Sequence, residues 1–317
     1  FRGTAYVVLE NLPLEKFGNR LPQFSFEITR PATAEARAQL PAVSQVVRGV
    51  ALMPGTGEYS LATKPIHYDL GLGKGINLNA NSLSGKTDFA TSMEMLNVEL
   101  PGCKAVSLVV SWFGNDLRCG MCEIQPKVEQ KWYEAKTMPW RVSGLNHADA
   151  KVVPFENGRP TYGGTPADAA VLSAIADLKT RRQAVMFYPF ILMDQADDNG
   201  LVDPWSNRKH QSKLPWRGRI TLSRAPGKTG TPDKTVQAEN EVAQFFGTSR
   251  AEHFEVAGGE VCYTGPDEWK YRRFILHNAA LCKLAGGVSA FCIGSEMRSL
   301  TQIRGANYIF PAVVALK

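Results

Sequence analysis

From residue 46 onward, short apolar runs alternate with amphipathic stretches, and this alternation restricts the fold to a parallel sheet covered by helices. The runs at 46–53, 105–113, 184–193 and 288–293 read as strands of that sheet. Between them the spacing predicts a helix over about 88–98, with Thr87 as N-cap and Phe89, Met93 and Leu96 on one side. A second helix opens at Thr165, Pro166 and Asp168 and buries Val171, Ile175 and Leu178. A third is capped by Thr231, Pro232 and Asp233 and closes at Gly247. The next, about 267–285, aligns Tyr271, Ile275 and Leu281 and stops at Gly286 and Gly287. Pro189 inside the third run predicts a bulge or an early strand end. The result is four βα units, the last helix opening at Phe310, with long insertions after the first three strands. An eight-unit barrel needs about 250 residues. Residues 46–317 hold only half of one, so the expectation is the first half of a (β/α)8 barrel, with the other half beyond Lys317.

A doubly wound sheet is the competing architecture and wants a glycine-rich turn between its first strand and helix. Gly71, Gly73 and Gly75 lie too far past the first strand and precede no immediate helix, so no nucleotide site is expected. Upstream, residues 5–9 and 23–29 read as two strands, the second placing Phe24, Phe26 and Ile28 on one face. Two strands do not stand alone. Residues 1–45 are therefore assigned to the end of a separate β domain and its linker, and 46–317 to the barrel. Both ends of the chain read as cut, which predicts a longer parent polypeptide.

Composition narrows the chemistry. The 317 residues carry 36 basic and 30 acidic side chains, a net charge of +6 scattered without a basic stripe, which argues against nucleic-acid recognition. No run is long enough to cross a bilayer. Cys119 and Cys122 form a lone C-x-x-C with no second pair or nearby histidine at zinc spacing, and the five histidines show no ligand spacing. No metal or cofactor is expected.

The chemistry-bearing residues cluster at strand ends, where barrel enzymes build their sites. Glu296 follows the fourth strand directly, with Arg298, a candidate substrate contact, two residues on. It is either a catalytic acid or a carboxylate that pairs with Arg298 or caps a helix. Glu58, Asp116 and Asp194 follow the other three strands. Each is a candidate substrate contact, set against simpler roles: pairing with a cation for Glu58, pairing with Arg118 for Asp116, and strand termination for Asp194. Trp112, Trp205 and Trp216 could stack on a sugar ring, although ordinary packing is the commoner use of tryptophan.

Several longer motifs carry a family resemblance. Residues 2–6, 17–22 and 24–27 resemble the tail-hub segment of phage and gene-transfer-agent tail-tip proteins. Residues 54–58, 112–118, 162–166, 187–194, 215–221 and 294–298 are similar to the glycoside-hydrolase-like TIM-barrel domain that comes after that segment. The resemblance implies a hub or host-specificity protein, the megatron of gene transfer agents, located at the virion tail tip. It implies a homotrimer in contact with other hub and distal tail proteins, and a host surface glycan as the molecule met during entry. In the large clan of retaining glycosidases the acid/base glutamate follows strand four, which corresponds to Glu296. The clan usually has Asn before that residue, where this chain has Ser295. The nucleophile would come from strand seven, outside this sequence.

Overall fold

The computed structural model describes residues 7–13, 15, 24, 41–82 and 84–317. The chain divides into two units, Phe1–Ala42 and Val43–Lys317. Of the strand expected at 5–9, residues 7–9 are described and take no strand conformation; the one expected at 23–29 lies outside the described residues except for Phe24.

The second unit is centred on a sheet of four parallel strands, β1 (Gly49–Leu52), β2 (Ala105–Gly114), β3 (Ala184–Met193) and β4 (Ala290–Phe291), lying side by side in chain order. A doubly wound sheet reverses its strand order at a switch point. Sequential order without reversal is how a (β/α) barrel progresses. A two-residue strand, Ile124–Gln125, adds antiparallel to the end of β2. The helices α1 (Asp88–Glu99), α2 (Asp168–Thr180), α3 (Val236–Phe246) and α4 (Tyr271–Leu284) come between the strands, followed by the short α5 (Arg298–Thr301) and α6 (Pro311–Leu316). The architecture is mixed α/β with a parallel central sheet.

Strand alternation decides which side chains are inside. On β2 those of Val106, Leu108, Val110 and Trp112 are buried, and on β3 those of Val185, Phe187, Ile191 and Met193. This is the period-two pattern of one shared face. Trp112 packs against Phe274 and His277 of α4 at ring-centroid distances of 5.3 and 5.5 Å, so the face is the one the helices cover. The helices supply the matching stripes: Phe89 and Met93, then Val171, Ile175 and Leu178, then Val242, Phe245 and Phe246. On the opposite face Tyr188, Phe190 and Leu192 are half-buried and Met186 is exposed.

Several boundaries differ from expectation for identifiable reasons. Thr87 does cap α1, its hydroxyl accepting from the Ala90 amide at 3.1 Å. Thr165 does not cap α2. Its hydroxyl donates to the Ser111 carbonyl at 2.9 Å and accepts from the Lys127 amide at 3.1 Å, tying the second insertion to β2, and the helix starts three residues later. Similarly α3 begins at Val236, because Asp233 is bound to Arg304 instead of the helix start. The first strand is preceded by a helical turn, Val43–Val46, and so begins at Gly49.

Pro189 causes neither a bulge nor an early end: β3 stays in register with β2 through Pro189 opposite Val110. The carbonyls of Val185 and Phe187 accept from the amides of Ser289 and Cys292, so odd-numbered residues of β3 turn their backbone toward β4. Pro189 shares that parity but lies past the residues that β4 pairs, so its missing N–H costs no ladder bond. The glycines near 71–75 form a hairpin between strands His67–Gly71 and Lys74–Asn77, with Gly71, Leu72 and Gly73 all at positive φ. That conformation serves the reversal of the chain.

Candidate functional site

The four strand-end acids lie past the C-terminal ends of β1 to β4, but their environments differ. Glu58 is buried, and three groups from the insertions converge on it. Its Oε1 accepts the Glu129 amide at 2.7 Å, and its Oε2 lies 3.0 Å from His147 Nε2 and 3.4 Å from the Tyr68 hydroxyl. The Glu129 carboxylate in turn accepts the Gly164 amide at 3.0 Å. Burial first, and the negative charge of Glu58 as a smaller cause, push the Glu129 carboxyl above its ordinary range. Glu58 thus joins the first and second insertions into one unit. Its partner is an imidazole, not the lysine or arginine of a simple ion pair.

Asp116 is also buried and bound on two sides. Arg118 grips it through Nε at 3.0 Å and Nη2 at 2.6 Å, and Gln211 Nε2 donates to it at 2.7 Å from the third insertion. Asp194 is buried in an ion pair with Lys127. Burial raises its pKa, and the lysine's charge opposes that shift. Trp112 is 1 % exposed and enclosed by Trp269, Phe274 and His277. It is part of the helix-side core and has no face open to a ligand.

Glu296 differs from these. Its side chain is about half exposed, and its backbone sits at φ +54, a left-handed conformation that costs a non-glycine residue about 1–2 kcal/mol. Such strain concentrates at functional sites. Arg298, the partner the sequence suggests, is not bound to it. Instead Trp216 Nε1 donates to Glu296 Oε2 at 2.6 Å, and Arg217 Nη2 lies 3.3 Å from the same oxygen. Arg217 is itself buried and fixed. It donates to the Ser295 carbonyl at 3.2 Å and the Ser295 hydroxyl at 3.1 Å, with its guanidinium carbon 3.7 Å from the centre of the Phe190 ring. The segment 215–219 of the third insertion therefore folds over the end of β4 and aims the carboxylate.

Trp216 is held with one side against Gly218. A Cβ at that glycine would fall 2.4 Å from the indole ring, so only glycine lets the ring lie there. The ring is 47 % exposed. Beside it runs a groove of about 350 Å³ lined by Trp205, Trp216, Arg219, Arg298, Ser299 and Gln302. The structure thus brings Glu296, Trp216, Trp205 and Arg298 together and leaves Glu58, Asp116 and Asp194 in separate buried pairs. Arg217 and Arg219 fall within the 215–221 motif but nothing in the sequence assigns them a role, and Gln302 carries no signal at all. Their roles follow from how the third insertion folds back on α5.

Cys119 and Cys122 are buried free thiols, and burial pushes the Cys122 thiol up to about 12. They are inert as nucleophiles in that state. Among the described residues no group of three or more His, Cys, Asp or Glu is placed to hold a metal ion, and no helix is long and apolar enough to cross a membrane.

The family described as the GTA TIM-barrel-like domain, GTA standing for gene transfer agent, matches residues 269–317. The matched segment runs from the start of α4 through β4 to α6 and includes both Glu296 and Arg298. No curated protein matches the chain. The segment that carries Glu296 is thus similar to the TIM-barrel-like domain of gene transfer agent proteins, which relates the chain to phage-type particles.

Proposed function

We propose that the chain is part of the distal tail tip, the hub or baseplate, of a siphophage or gene transfer agent. In this reading its barrel-like domain, residues 46–317, binds host cell-surface polysaccharide or peptidoglycan glycan during entry. The observation that carries the binding part is the Trp216–Glu296 pair. A half-exposed carboxylate is bonded to a half-exposed indole, and that indole lines a groove past the C-terminal end of the sheet. Aromatic rings pack on the apolar faces of sugars, and a carboxylate accepts from their hydroxyls. The family match at 269–317 supports the particle context. Trimerisation and contact with other hub and distal tail proteins belong to the same proposal and rest on the resemblance of residues 2–6, 17–22 and 24–27.

Hydrolysis is the second reading, favoured by the strained, exposed Glu296. It requires a second carboxyl about 5–9.5 Å from the first. The three other strand-end acids are held by Arg118, Lys127 and His147, and the resemblance assigns the second carboxyl to strand seven, outside this sequence. The test is calorimetric titration of the protein with polysaccharide purified from the host surface. Trp216→Ala should weaken binding by about tenfold or more without changing the unfolding midpoint. Unchanged affinity in that variant would remove the groove from consideration, and absence of any glycan binding would favour a purely structural barrel. If wild type also degrades the glycan and Glu296→Gln does not, the second reading holds.

A further inference from the structure

Resting on the glycan-binding reading of the same groove, we propose that it selects acidic sugars, recognising a carboxylate or phosphate on the glycan through Arg298 while the sugar ring lies on Trp216. The lining is unusual in its charge. Two of its six residues are arginines and none is acidic. The Arg298 side chain is exposed and makes no hydrogen bond or ion pair with any described residue. Arg219 is only loosely compensated. Its nearest carboxylate oxygen, on Asp203, is 3.9 Å away, and its buried Nε has no hydrogen-bond partner. The other oxygen of Asp203 is engaged by the amides of Trp205 and Ser206. The Glu296 carboxylate at the rim is already opposed by Arg217.

The groove therefore presents positive charge with unused donors beside an aromatic platform. A guanidinium donates two parallel N–H groups to a carboxylate or phosphate and binds it more strongly than it binds neutral hydroxyls. The two indole N–H groups cannot serve the ligand's charge, because Trp205 Nε1 donates to the Arg219 carbonyl and Trp216 Nε1 to Glu296. The rings thus supply apolar surface and the arginines supply charge recognition.

The experiment compares trigalacturonate, its neutral methyl ester and a glycerol-phosphate-substituted oligosaccharide by calorimetry against the protein. The acidic trisaccharide, the phosphate-bearing oligomer or both should bind about tenfold tighter than the ester, and the preference should shrink at high ionic strength. Which acid binds identifies the source of the charge. Arg298→Gln should abolish the preference, so that acid and ester bind the variant equally; because the Arg298 side chain has no partner among the described residues, its unfolding midpoint should match wild type. Arg298→Lys should recover part of the preference, since it keeps the charge but loses the bidentate fit. Equal affinity for acid and ester, or a preference that survives Arg298→Gln, overturns the inference and leaves neutral glycan binding standing. Failure of every glycan to bind, with Trp216→Ala indistinguishable from wild type, removes the underlying reading as well.

Discussion

Half-buried Glu129 and buried Asp194 are carboxyls whose pKa values are raised, chiefly by loss of solvent. A carboxyl with a raised folded-state pKa holds its proton more tightly when folded than when unfolded. Its contribution therefore favours folding at low pH and is lost as pH rises from the ordinary carboxylate range through the raised value. Glu129→Gln should remove part of that dependence, so that urea midpoints measured at pH 4.5 and 6.5 lie closer together than in wild type. Identical pH slopes would contradict the assignment. Arg273 offers a second test at this scale. It is buried, stacked 3.5 Å from the Trp269 ring centre and 3.9 Å from that of Tyr263, and it donates to the Ser143 carbonyl at 2.8 Å. Arg273→Ala should cost about 2–4 kcal/mol in urea unfolding, through lost stacking and orphaned carbonyls. At the groove, Gly218→Ala should displace the Trp216 ring and weaken glycan binding much as Trp216→Ala does, with little loss of stability; normal binding would show that the ring does not need the seat Gly218 provides.

At the level of elements, β2, β3 and α1 could be read from the sequence because local signals and tertiary packing agree there. Thr87 caps α1 as its position suggests, and Thr87→Ala should cost about 1 kcal/mol, measurable as a lowered unfolding midpoint. The starts of α2 and α3 were not legible, since Thr165 and Asp233 commit their side chains to distant partners that no local pattern reveals. Pro189 misleads for a related reason: its cost depends on where β4 ends, which belongs to the sheet and not to β3. Trp112 could have been placed on the helix side by counting, because it shares its parity with Val106, Leu108 and Val110. Glu296 stands out in the sequence by its position after an apolar run. Its true neighbours, Trp216 and Arg217, are about eighty residues away in a segment with no periodic pattern; the sequence marks that segment, but only the folded insertion pairs it with Glu296.

Across the whole molecule, the parallel strands in chain order and the match at 269–317 point to a barrel-like scaffold of the type found in gene transfer agent proteins. The long insertions then determine what that scaffold offers. The first and second are locked together around Glu58, while the third reaches over the end of β4 and leaves one acid, two indoles and two guanidiniums beside a groove. In this account the rigid buried pairs build the platform, and the open groove meets the cell surface. Hydroxyl-radical footprinting of the protein with and without host surface polysaccharide tests this most directly. Glycan-dependent protection should centre on Trp216 and Trp205, with the buried Trp112 unchanged; protection located elsewhere, or none at saturating polysaccharide, would rule the groove out as the glycan site.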